Sequence, residues 1–168
     1  MNDIEDVVGA FGQWARQQGL GPARAEVRVE RLGCPHTPLP LPAGWQGVYS
    51  FRYADTWLKV GKAGPKSGPR WISQHYNPGS AMSSLAFSLV KYGHFATREH
   101  ASLNGLQAKL RDVSPDDIGD WIKGNTARVN LLIRSEMGAA ALARLESVAH
   151  RCLKPAFEGC WRFGEPAV

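Results

Sequence analysis

The stretch GVYSFRYADTWLKVGKAGPKSGPR, from Gly47 to Arg70, gathers residue types that handle an anion. Tyr49 brings a hydroxyl, while Lys59, Lys62 and Lys66 bring ammonium groups. Arg70 brings a planar guanidinium able to hold a phosphate through paired hydrogen bonds. Gly61, Gly64 and Gly68 suit tight loops. Asp55 is the one acid in the stretch. Attack of water on a phosphodiester needs a base for the water, cations for the nonbridging oxygens and a charge to neutralise the leaving 3′ oxygen. This stretch offers the first two, and a carboxylate elsewhere in the chain would complete the set.

The charge distribution points the same way. The chain of 168 residues carries +5 overall. From Thr56 to Arg98 there is no Asp or Glu, and Lys59, Lys62, Lys66, Arg70, Lys91 and Arg98 give that third +6, leaving −1 for the remainder. Segregated positive charge is the footprint of a polyanion-binding face, and a solvated basic surface is the plain alternative. Trp57 and Trp71 fall inside this segment, where they could stack on bases or ribose. His94 and His100 flank a polar stretch that runs over its C-terminal end.

The elements that must position these residues follow from periodicity. Residues 3–18 place Ile4, Val7, Val8, Phe11, Trp14 and Ala15 on one helical stripe, ended by Gly19, Gly21 and Pro22. Residues 25–32 alternate as a half-buried strand. GCPHTPLPLPAG (33–44) holds four prolines and reads as an extended linker. Strands follow at 47–53 and 56–62, joined at Ala54–Asp55. A helix begins near Arg70 and stops at Asn77-Pro78-Gly79; helices are predicted from Ser80 to about Lys91 and over Leu103–Leu110. Ser114, Pro115 and two aspartates mark a further helix start. A strand over 127–133 and a helix over 136–151 close the series. The class is α+β around a small, mostly antiparallel three-stranded sheet flanked by helices. The expected division is an N-terminal helix–strand extension with its proline-rich linker at 1–44, then one domain with helical insertions at 45–168.

No apolar run approaches the ~20 residues needed to span a bilayer. The acidic start MNDIEDVVGAF lacks the basic region of a secretory signal, so a cytoplasmic location is expected. Cys34, Cys152 and Cys160 suit free thiols better than a disulfide framework. Joined with His36 and His150 they match no standard zinc-finger spacing. Gly61-x-x-Gly64 is not a phosphate-binding P-loop, because no Gly-Lys-Ser/Thr follows.

In order and type, these residues resemble the GIY-YIG nuclease superfamily. Gly47-Val48-Tyr49 matches the first half of that name, and Lys59-Val60-Gly61 stands where the second half belongs. Arg70 lies at the next helix start, and Glu146, in RLESVAHRCLKPAFEG, where the family keeps its acidic metal ligand. The resemblance spans Gly47 to Gly159. Lysine in place of the second tyrosine is similar to the restriction-endonuclease branch. Glu158 stands where the family has a late asparagine, and Gln74, His75 and Tyr76 share the place of a His or Tyr one turn after the arginine.

The resemblance implies a Mg²⁺-dependent endonuclease acting on DNA, of restriction or phage-defence type, with Mn²⁺ able to substitute. RNA is not excluded as substrate, and a homodimer is compatible with the family. One carboxylate, Glu146, would suffice for Mg²⁺, which keeps several waters and takes phosphate as a ligand. Tyr49 would be the base, Lys59 the cation favouring its phenolate, and Arg70 the phosphate ligand. Lys62, Lys66, Trp71, Lys91 and Arg98 would contact DNA. The competing class is a non-catalytic nucleic-acid-binding module that retains the fold.

Overall fold

The computed structural model describes residues 3–21, 25–91 and 105–157. Its centre is a four-stranded, wholly antiparallel sheet in the order β1-β4-β2-β3. The strands are β1 (Arg28–Leu32), β2 (Trp45–Tyr53), β3 (Thr56–Ala63) and β4 (Ala127–Arg134). The helices are α1 (Asp3–Gln17), α2 (Gly68–Ile72), α3 over residues 85–91, α4 (Leu106–Leu110), α5 (Ile118–Asn125) and α6 (Gly138–Leu153), with a 3-10 turn at Gln74–Tyr76.

Alternation in the strands sends two apolar sets to opposite faces, and each face is covered. On one, Val48, Val60, Leu131 and Ile133 meet Ile4, Val7 and Phe11 of α1 and Leu142, Leu145 and Val148 of α6. On the other, Tyr49, Phe51, Leu58 and Leu132 meet Trp71, Leu85, Leu106, Ile118 and Ile122. Cover on both faces explains why Gln46 to Phe51 of β2 are buried without a break, the polar Gln46 and Ser50 included.

Two expectations change. The sheet has four strands, because the strand expected in the N-terminal extension pairs with β4, from Arg28↔Leu132 to Leu32↔Arg128. Residues 33–44 are not a spacer either. His36 and Leu41 pack on the second face, and the Leu39 carbonyl accepts the Trp71 indole N–H at 3.0 Å. With α1 supplying Ile4, Val7 and Phe11 to the other core, residues before 44 pack into both layers. The α+β class stands. Ser114 caps the approach to α5 by accepting the Asp117 N–H at 3.1 Å, and the helix itself begins at Ile118. No helix among the described residues is long and apolar enough to cross a membrane.

Candidate functional site

Tyr49 lies on the central part of β2, fully buried, with its ring over the neighbouring edge strand. Its partner in register is Gly61. A Cβ at Gly61 would collide with the tyrosine hydroxyl and ring, so only glycine leaves room there. Gly47 has a similar reason: a Cβ would stand 2.7 Å from Leu132 Cδ2 and 3.0 Å from the Trp71 ring. Two motif glycines are therefore spaces, filled by Tyr49 and Trp71.

The Tyr49 hydroxyl has two partners. Arg70, from α2, donates its Nε–H at 3.2 Å, and His75 Nε2 lies at 2.6 Å. The Leu85 amide donates to His75 Nδ1 at 3.2 Å, so that nitrogen carries no proton. In a neutral imidazole the proton then sits on Nε2, and His75 donates to Tyr49. The ring is held neutral: burial first, then the charges of Arg128, Lys59 and Arg70, push its pKa down to about 3. The Tyr49 oxygen thus accepts from two fixed donors, both of which would bind a phenolate more tightly than a phenol. Burial outweighs them in the resting site and holds the phenol above its ordinary value of 10; Arg70 and Arg128 pull it down, and Glu146 pushes it up.

Glu146 reaches this neighbourhood from the other face of the sheet. It borders the buried stripe of α6 and stands beside the edge strand, where Lys62 Nζ donates to its Oε2 at 2.5 Å. Its charge acts on both Tyr49 and Arg70. Tyr49, Arg70, His75, Lys62 and Glu146 thus converge on the β3 edge. Among the described residues no group of three His, Cys, Asp or Glu side chains is gathered as a metal cage. Glu146 offers a single hard carboxylate, 21% exposed, with Oε1 not engaged by Lys62. That donor fits Mg²⁺, which binds through one or two carboxylates and retains water.

Several expected residues stand elsewhere. Lys59 is not opposite Tyr49; it pairs with Phe51, and its Nζ donates to the Phe157 carbonyl at 3.4 Å. A β-bulge between Phe51 and Arg52 sets that register and keeps Lys59 on the face of Tyr49, and the cations that lower the phenol's pKa include Arg70 and Arg128. Lys62 is tied to Glu146 rather than free for nucleic acid. Trp71, 1% exposed, is core and unavailable for base stacking, and Trp57 is also buried. Lys66 and Lys91 are exposed. Of the three residues after Arg70, His75 is the one on Tyr49; Gln74 is half-buried, with its carbonyl accepting from Ser80. Arg98, Glu158, His94, His100 and Cys160 lie outside the described residues. Cys34 is exposed, with Cys152 half-buried, and both are free thiols.

One group had no place in the sequence reading. Arg128 on β4 is 1% exposed, with no carboxylate partner among the described residues. Its guanidinium lies 5.0 Å from the Trp71 ring centre, 5.5 Å from that of Phe51 and 5.7 Å from that of Tyr49. It donates to Asn130 Oδ1 at 2.9 Å and to the Tyr76 hydroxyl at 3.1 Å, while Nη2 has no hydrogen-bond partner. Tyr76 donates its O–H to His36 Nε2 at 2.8 Å, because His36 Nδ1 donates to the Thr126 carbonyl at 2.6 Å. A buried cation held by aromatic faces is thus placed directly beneath Tyr49. The available signal was Arg128-x-Asn130-x-Leu132, polar residues at positions that alternate onto the face shared with Tyr49.

Compared with protein-family models, characterised proteins and solved structures, the chain matches none of them.

Proposed function

We propose that this protein is a metal-dependent endonuclease that hydrolyses phosphodiester bonds in DNA, most like the restriction-enzyme side of the GIY-YIG nucleases. One observation carries the reading: the Tyr49 hydroxyl, seated over Gly61, accepts from Arg70 and His75 within electrostatic reach of Glu146. Arg70 is exposed whereas His75 is buried. A phosphate bound at Arg70 therefore stands beside the Tyr49 hydroxyl. Tyr49, once its phenol proton has been released to solvent, is a phenolate steadied by the His75 Nε2–H; it takes the proton of the attacking water and is left as the phenol. Arg128 supplies a fixed positive charge below the ring. Glu146 would hold Mg²⁺ or Mn²⁺, which neutralises the leaving 3′ oxygen when bound. Lys66 and Lys91 would meet flanking phosphates.

A second reading, a non-catalytic binding module, is favoured by one observation: Tyr49 is fully covered and burial keeps it a phenol. Incubation with supercoiled plasmid, linear duplex and single-stranded DNA, in Mg²⁺ or in EDTA, separates the two. The nuclease reading expects Mg²⁺-dependent cleavage that Glu146→Gln abolishes with binding retained. Binding without cleavage under every metal condition would leave the module.

A further inference from the structure

His36 comes from the proline-rich segment before β2 and Tyr76 from the 3-10 turn after α2, and both are buried. Their hydrogen bonds can run in one direction only. The Thr126 carbonyl accepts, so His36 Nδ1 carries the proton of the neutral ring. Nε2 is then an acceptor, and the Tyr76 O–H must donate to it. The Tyr76 oxygen keeps a lone pair, which takes the Arg128 Nη1–H at 3.1 Å. Burial first, with Arg128 of β4 and Lys123 of α5, lowers the His36 pKa against the Thr126 carbonyl, which raises it. The ring therefore stays neutral; a protonated ring would turn Nε2 from acceptor to donor.

Both ends of this chain are anchored. The His36 amide donates to the Lys123 carbonyl at 2.9 Å, near the end of α5. Arg128 is held from its other side by Asn130 Oδ1, and Asn130 Nδ2 donates to Glu30 of β1 at 3.3 Å. The ring faces of Tyr49, Phe51 and Trp71 attract the guanidinium without fixing its orientation, whereas its hydrogen bonds to Tyr76 and Asn130 are directional. We propose that His36 and Tyr76 are positioning residues for the reaction: by holding the Arg128 guanidinium beneath Tyr49, they set the positive charge that the Tyr49 oxygen meets. This rests on the reading of Tyr49 as the base, and both residues act through Arg128 rather than on the substrate.

Two measurements test it. Long-range ¹H–¹⁵N NMR of the wild type at neutral pH should show His36 as the Nδ1–H tautomer; the Nε2–H tautomer or a charged ring would overturn the relay. Ultraviolet titration, with Tyr49→Phe subtracted in each background, then reads Tyr49. Tyr76→Phe keeps the ring against Phe51 and loses only the oxygen, while His36→Phe removes the acceptor. For a retreat of Arg128 by ~1 Å from ~6 Å, at an effective dielectric of ~20, the proton affinity of Tyr49 should rise about twofold. That rise should appear in each variant and vanish in an Arg128→Met background, as for residues that share one task. No rise, or an equal rise in the Arg128→Met background, would overturn the proposal. Single-turnover cleavage recorded in parallel keeps the two readings apart: a wild type that does not cut would overturn the nuclease reading, while the titration still decides the relay.

Discussion

Mild acid should destabilise this protein through His75. The imidazole is 3% exposed, with Leu85 N–H on one nitrogen and Tyr49 on the other, and its pKa is held at about 3 against 6.5 when unfolded. Between those values the unfolded chain binds a proton that the folded chain refuses. Stability is therefore fully present above pH 6.5 and is lost as the pH falls towards 3. Each pH unit below 6.5 costs ~1.4 kcal/mol, so between pH 7.5 and 4.5 this group removes about 3 kcal/mol. That is a large part of a typical stability of about 5–15 kcal/mol. His75→Phe keeps a ring against Tyr49 and Phe51 but cannot titrate. It should be less stable at pH 7.5, because the Leu85 amide is left unpaired at a cost of about 1–3 kcal/mol. The gap between wild type and variant should then shrink by about 3 kcal/mol at pH 4.5. Urea unfolding followed by tryptophan fluorescence at the two pH values measures this directly. A gap that stays constant would refute the placement of a neutral, buried His75 against Tyr49. His36, whose pKa burial also lowers, adds to the acid sensitivity of both proteins and cancels in the comparison.

Gly61→Ala should cost about 1–3 kcal/mol, as overpacking against the Tyr49 ring, and a double-mutant cycle with Tyr49→Ala should show the cost largely relieved. Additive losses would mean that the ring does not occupy the space above Gly61. Arg128→Met removes a cation that lowers the Tyr49 pKa, so the phenol should ionise at higher pH than in wild type. Ultraviolet titration, with Tyr49→Phe subtracted to isolate this tyrosine, reads the shift, and an unchanged or lower titration would rule Arg128 out as its electrostatic partner.

Much of the fold was legible because periodicity and turn chemistry are local. The stripe of α1, the two strands around Ala54–Asp55 and the long final helix emerge within a few residues of their bounds. The membership of β1 in the sheet was not legible, since pairing with β4 joins residues about a hundred positions apart. Lys59 lies on the face of Tyr49, but its pairing with Phe51 was not legible, for a different reason. An unbroken hairpin from Tyr53↔Thr56 would set Lys59 against Ser50, on the face away from Tyr49; the bulge turns it onto the Tyr49 face but opposite Phe51. No residue type in SFRYADTW signals that bulge. Trp71 was legible as aromatic but not as buried, because the strap that accepts its N–H comes from a proline-rich stretch with no periodicity. Arg128 escaped notice because a charged residue in a strand is ordinarily assigned to solvent, and the rings around it come from β2 and α2, far from it in sequence.

The central claim is that Tyr49 is the base of a metal-assisted phosphodiester cleavage at the β3 edge. The measurement that meets it most directly is single-turnover cleavage of duplex DNA in Mg²⁺ by wild type and Tyr49→Phe, with urea unfolding of both as the check on structure. The phenylalanine ring still fills the space over Gly61, so the fold should survive, while the rate should drop by about two orders of magnitude or more, the usual size for a lost general base. A folded Tyr49→Phe protein that cuts at close to the wild-type rate would contradict the claim and reduce Tyr49 to a core side chain.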